Sequence, residues 1–210
     1  MTDINRTHRT VAVVVPYKFV PPVNGGQRVA YDFCLALSKR VRLFCVSTIQ
    51  ESETADFKVI DLLGQSLGKY FSPLSVVKLI RIFRRQNTWL CIINQPYATL
   101  ITYVACKICR VKLIIYSHNL EYRRLTHTRK TLLPILFFLE FLAYRLSHFV
   151  FFISKDEEKR ARRVFGISRS KCQYVPIIVP KTGSKSPPVV SKESYFSIIF
   201  FGDFSYSPNL

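Results

Sequence analysis

Two loops in this chain combine residue types that handle anions and sugars. The first is Pro21-Pro22-Val23-Asn24-Gly25-Gly26-Gln27, between an apolar run and a helical stretch. Helix N-termini present unpaired N–H groups and attract anions, and paired glycines let a phosphate come close to the backbone. Asn24 is expected to cap the helix, with Gln27 reaching back in a reciprocal cap. A plain turn is the competing reading, because Gly-Gly is a weak motif. The second loop is Ser117-His118-Asn119-Leu120-Glu121-Tyr122-Arg123-Arg124, directly after another apolar run. There His118 can hydrogen-bond a sugar hydroxyl or move a proton near neutral pH. Glu121 can orient a hydroxyl, and Arg123 or Arg124 can face a phosphate. The competing reading has His118 and Asn119 capping the next helix while the arginines are solvated. The remaining histidines carry less: His8 in the polar tail, His127 in a basic loop and His148 at a helix–strand junction.

Both loops need a scaffold that brings them to one edge, and the apolar pattern supplies it. Short β-branched runs alternate with helical stretches, which predicts an α/β fold: a Rossmann-like parallel sheet with helices on both faces. Strands are expected at 11–15, 41–48, 57–61, 89–94, 111–117, 148–153 and 171–179. Helices are expected from about Gly26 to Lys39 and at 73–85, 97–109, 131–146 and 155–164. Ser154 and Glu157 form an S-x-x-E start for the last of these. In such a sheet ligands bind at the carboxyl ends of the strands, where both loops fall.

Residues 1–180 read as one domain, 181–194 as a Lys/Ser/Pro-rich linker, and 195–210 as a fresh strand and turn. A single strand cannot form a sheet, so this last piece requires a partner. With 49% apolar residues the first domain removes roughly two-thirds of its extended-chain surface from water, without disulfides or metal.

Composition narrows the classes of function. The chain has 31 Lys and Arg against 13 Asp and Glu, a net charge of +18 that favours polyanionic partners. The bases are dispersed and no nucleic-acid module signature occurs, so nucleic acid is disfavoured. Arg123, Arg124, His127, Arg129 and Lys130 precede the apolar helix starting at Thr131, which suits an anionic membrane surface; a solvated loop is the alternative. The apolar stretch 132–153 contains Pro134, Glu140, Arg145 and His148. Central charges cost roughly 2.5–3.5 kcal/mol each in a bilayer, which argues against a span. Residues 1–10 lack the apolar segment of a signal peptide. The six cysteines lie mostly in apolar runs and read as reduced core residues of a cytosolic protein. Cys106-x-x-Cys109 has no second ligand pair, so packing is preferred over zinc or redox chemistry. No G-x-G-x-x-G occurs, and Gly64 to Tyr70 has the wrong spacing and ending for a phosphate loop.

Together the two loops resemble the GT-B glycosyltransferases of family four. P-x-x-x-G-G followed by Arg28 to Leu37 is similar to their first βα unit. Ser117 to Arg124 resembles the H-N-x-E-Y-R stretch of one branch, and Ser154 to Glu157 the start of their last N-domain helix. Phe201-Gly202-Asp203-Phe204-Ser205-Tyr206-Ser207-Pro208-Asn209 is similar to the opening of their donor domain. The resemblance implies two facing Rossmann-like domains, with retaining transfer from a nucleotide sugar to a glycan or lipid-linked acceptor. It implies no metal and no cofactor beyond that co-substrate. It places Gly25 and Gly26 near the donor phosphate and His118 at the sugar. The family's donor-side basic pair and Glu-x7-Glu motif are not found within 210 residues, so an N-terminal part stopping at the start of the second domain is expected. A cytoplasmic enzyme of cell-envelope polysaccharide synthesis, peripheral to the membrane, follows by the same resemblance. A non-catalytic basic module that binds an anionic acceptor or membrane is the alternative.

Overall fold

The computed structural model describes residues 9–48, 57–64, 67–124, 131 and 133–177. Seven parallel strands form one sheet in the order β3-β2-β1-β4-β5-β6-β7. They are β1 Thr10–Val14, β2 Leu43–Ser47, β3 Lys58–Asp61, β4 Thr88–Asn94, β5 Lys112–Ser117, β6 Phe149–Phe152 and β7 Cys172–Tyr174. The helices are α1 Gly25–Ser38, α2 Pro73–Arg85, α3 Thr99–Cys109, α4 Glu121–Arg124, α5 Leu133–Leu146 and α6 Lys155–Phe165.

The sequence reading anticipates every strand and all the helices except the one-turn α4 as a separate element. A 3-10 turn over Pro96–Ala98 replaces the first turn of the third helix. Within the segment 64–70, Leu67–Tyr70 forms another 3-10 turn. The linker, the strand expected at 195–210, His8, His127, Arg129 and Lys130 lie outside the described residues.

Alternation along the strands makes two cores. Val11, Val13, Cys45, Ile92, Ile114 and Tyr116 face α1 through Ala30, Phe33 and Cys34. Ala12, Val14, Val46, Cys91, Ile93, Leu113 and Ile115 face the other side, where Leu79 of α2, Ala105 of α3, Tyr144 of α5 and Phe165 of α6 pack. Strands buried on both faces need no polar alternation, which explains the continuous runs TVAVV and TWLCIIN. The sulfurs follow the packing reading: Cys106 turns inward toward Cys91, and Cys109 Sγ donates to the Ile80 carbonyl at 3.8 Å.

The chain leaves β1 toward β2 through α1 and leaves the outer strands toward β4 through α2. Strand order therefore reverses between β1 and β4. Loops that diverge at such a switch point open a crevice at the carboxyl edge of the sheet. Among the described residues no helix is long and apolar enough to cross a membrane, and no group of three or more His, Cys, Asp or Glu side chains is placed to hold a metal.

Candidate functional site

The crevice between β1 and β4 is bridged at its mouth by Tyr17, whose hydroxyl donates to Asn94 Oδ1 at 3.2 Å. The glycine loop follows β1 and leads into α1. Asn24 adopts extended backbone and its Oδ1 accepts from the Gln27 amide at 3.0 Å, as expected of the cap. The reciprocal half differs by one residue: Gln27 Oε1 accepts from Val23 N at 2.7 Å rather than from the cap's own amide. Gly25 and Gly26 are exposed and neither has a left-handed backbone. A methyl group built on Gly25 meets nothing within 4 Å, and one on Gly26 meets only Asn24 Oδ1 at 3.7 Å. Neither the turn nor the packing of this domain therefore demands glycine there. The first turn of α1 also carries no acidic side chain, whereas that of α6 holds Asp156, Glu157 and Glu158. The positive end of α1 thus has the Asn24 cap but no acidic side chain in its first turn.

His118 follows β5 on the same edge and the same face of the sheet. Phe33, two turns along α1, packs on Tyr116 with ring centroids 4.5 Å apart, and Tyr116 meets His118 edge-on at 4.8 Å. An unbroken line of rings ties the glycine-led helix to the histidine. His118 is 3% exposed, and burial alone pushes its pKa down to about 4. At neutral pH the ring is uncharged, which favours hydrogen bonding over the proton shuttling considered from sequence.

Four buried polar atoms gather at the carboxyl ends of β4 and β5 with no hydrogen-bond partner among the described residues: Asn94 Nδ2, Gln95 Oε1, Tyr116 Oη and His118 Nε2. Such atoms are costly to bury unpaired, by about 1–3 kcal/mol each, so four of them on neighbouring strand ends mark an edge suited to something polar. Gln95 adds backbone strain. Its φ of 73° with ψ of 151° is a conformation held almost only by glycine, and its amide is pinned to the Tyr116 carbonyl at 3.1 Å. Asn94, Gln95 and Tyr116 were not singled out by sequence. The signal was present in Asn94-Gln95, two amide side chains ending an apolar strand.

The rest of the second loop is built differently from the expectation. Glu140, a carboxylate inside the apolar α5, accepts from the amides of Glu121 at 2.7 Å and Tyr122 at 2.9 Å, and from the Tyr144 hydroxyl at 3.2 Å. This carboxylate caps α4, so the capping role considered for His118 and Asn119 falls to it. Asn119 is half-buried and uses its carbonyl to accept from Ser117 Oγ at 3.0 Å. Glu121 is 1% exposed. Its Oε2 accepts from the Tyr97 hydroxyl and from Arg124 at 2.6 Å. Burial works against the Arg124 charge, but Glu121 and Tyr97 more than restore it. Glu121 and Arg124 thus brace each other, while Arg123 is exposed, makes no ion pair with a described residue, and faces the field of Glu157, whose pKa it helps hold down.

Solved structures share this architecture. Sucrose-phosphate synthase of Thermosynechococcus elongatus superposes with a TM-score of 0.63, at 12% identity over 80% of this chain and 48% of its own length. Anabaena HepE in complex with UDP and glucose gives 0.57 at 16% identity, over 79% and 44%. The lipopolysaccharide outer core galactosyltransferase WaaB gives 0.54 at 12%, over 78% and 44%. Identities this low establish a common fold, and the chain spans about half the length of each. No curated protein matches the sequence. A profile of Glycosyltransferase Family 4 matches residues 23–180, most of the chain. The chain belongs to Glycosyltransferase Family 4.

Proposed function

We propose that this domain is the acceptor side of a retaining glycosyltransferase, which moves a sugar from a nucleotide-sugar donor to a glycan or lipid-linked acceptor. The observation that carries the reading is the set of unpartnered buried atoms on Asn94, Gln95, Tyr116 and His118, on the sheet edge that also carries the N-terminus of α1, whose first turn holds no acidic side chain. A sugar offers hydroxyls that both donate and accept, matching amides, a phenol and a neutral imidazole. A diphosphate matches the bare amides of Gly25 and Gly26. In the transfer the anomeric carbon–phosphate oxygen bond breaks and a bond to the acceptor oxygen forms. The acceptor's hydroxyl proton leaves with the diphosphate. The neutral His118 positions a hydroxyl, Glu121 holds Arg124 at the rim, and the exposed Arg123 meets a phosphate. Residues 181–194 act as linker, and 195–210 open the nucleotide-sugar domain. The lipopolysaccharide outer core galactosyltransferase among its structural neighbours supports a cell-envelope polysaccharide as the product here, made in the cytoplasm at the membrane face.

Saturation-transfer NMR with oligosaccharide and lipid-linked acceptors tests the site. Binding that is lost in Asn94→Ala and His118→Ala is the expected result. Residues 1–210 alone are expected to give no transfer from nucleotide-sugar donors, because the family's Glu-x7-Glu motif does not occur among them. Turnover by this chain alone overturns the division of labour, and acceptor binding indifferent to both substitutions overturns the site.

Peripheral contact with an anionic membrane is supported by α5, where Ile135 is 55% and Phe138 57% exposed beside the basic stretch that begins at Arg123. Apolar side chains flanked by cations bind such surfaces jointly. Ile135→Ser with Phe138→Ser is expected to weaken co-sedimentation with phosphatidylglycerol vesicles several-fold. Unchanged sedimentation removes α5 from the contact.

A further inference from the structure

The opposite edge of the sheet carries a second feature that the transfer reaction does not use. A cavity of about 750 Å³ opens at the amino ends of the strands, lined by Arg9, Arg40, Arg42, Arg110, Lys112 and Trp89. Its size falls within the range of small-molecule sites, roughly 300–1,000 Å³. Arg42, Arg9, Trp89 and Lys112 stand at the starts of β2, β1, β4 and β5, which are successive neighbours in the sheet. At about 4.8 Å per strand they form a row of cations, broken by one indole, across about 15 Å. Arg40 closes the row from beyond α1 and Arg110 from the end of α3.

Complementing helix dipoles explains part of this charge, since Arg40 and Arg110 follow helix C-termini. It does not explain Arg9, Arg42 or Lys112, which precede strands. None of the five cations pairs with a carboxylate among the described residues, and no acidic side chain lines the cavity. Arg110 also occupies a left-handed position, φ 57° and ψ 36°, where glycine is the easy choice. A cation is kept there against a backbone cost. Trp89 is 38% exposed, an amount that leaves a ring face for stacking.

We propose that this cavity is a second ligand site, separate from the transfer rim, that binds a nucleoside di- or triphosphate. The phosphates lie among Arg9, Arg42 and Lys112, and the base stacks on Trp89. Clustered like charges repel one another until a polyanion enters, and guanidinium groups grip phosphate oxygens in pairs. An indole adds stacking that inorganic phosphate cannot use. The inference stands independently of the transferase reading.

Trp89 is the only tryptophan in the chain, so its fluorescence reports this site directly. Titration with ADP, UDP and inorganic pyrophosphate is expected to give a saturable change, with a nucleotide several-fold tighter than pyrophosphate. Arg42→Gln with Lys112→Gln, both exposed positions whose change leaves the fold intact, is expected to weaken binding at least about tenfold. Gly26→Ala, on the far edge, is expected to leave the titration unchanged. Lack of saturation, an unaltered response in the double variant, or a response to phosphatidylglycerol vesicles alone overturns the proposal. Pyrophosphate binding as tightly as the nucleotides overturns its nucleoside part.

Discussion

Replacing Gly25 and Gly26 with alanine is expected to make the domain more stable and the proposed sugar transfer much slower. The stabilising half follows from local structure. Both residues lie in the first turn of α1 with ordinary helical space around them, and an added methyl meets no neighbour closer than 3.7 Å. Alanine restricts the unfolded chain and suits a helix better than glycine, worth up to about 0.5 kcal/mol at each site. The slowing half follows from the ligand. A methyl group between the amides and a donor phosphate displaces it by about 1 Å, and misplacement of that size costs about 100-fold in rate. Urea denaturation and sugar transfer by the enzyme joined to its donor domain read the two halves separately. A stabilised variant with full activity reduces the loop to a turn. A destabilised one exposes a packing demand that the geometry does not show. Asn24→Ala is the contrast. It removes the bond to Gln27 N and is expected to cost about 1 kcal/mol of stability whatever the ligand does.

The glycine loop also shows why some of this molecule was legible in its sequence. Strands buried on both faces write themselves as unbroken apolar runs, so β1, β4 and β5 could be placed within a residue or two. Caps are local, and Asn24 and Ser154 accept from the residue three along, as their spacing implies. In a parallel sheet two loops that follow strands must share an edge, so Gly25, Gly26 and His118 could be brought together before any coordinates. What stayed hidden depends on distance in sequence. Glu140 lies 19 residues from the amide it binds, and read alone it is only a charge in an apolar helix. Tyr97 reaches Glu121 across 24 residues and takes an acceptor that the sequence leaves free for substrate. The strain at Gln95 is a backbone property set by how β4 meets the Tyr116 carbonyl, and no residue type announces it.

Glu140 of α5 and His118 yield the second large effect, a pair of opposed pH dependences around one loop. Burial raises the Glu140 pKa from 4.5 to about 7; its two amide donors and Tyr144 pull it down, the nearby Glu121 charge pushes it up, and burial prevails. The folded state then holds this proton more tightly than the unfolded chain does. The stability it contributes is complete below about pH 4.5 and is lost as pH rises through 7. Burial lowers His118 from 6.5 to about 4, so its contribution is complete above pH 6.5 and is lost as pH falls toward 4. Each shift corresponds to about 3 kcal/mol, and between pH 4.5 and 6.5 the two slopes have opposite sign and similar size. They cancel in the wild-type protein and separate in variants. Relative to wild type, His118→Gln is expected to lose about 3 kcal/mol as pH rises from 4 to 6.5, because the compensating gain is gone. Glu140→Gln is expected to gain by a similar amount between pH 4.5 and 7. It also carries a constant penalty of about 1–3 kcal/mol, since its amide nitrogen cannot accept from the backbone of α4. Urea midpoints taken across this range measure both difference curves. A flat curve for Glu140→Gln would mean that the two amides keep the carboxylate ionised throughout, and that burial is not the stronger influence at this site.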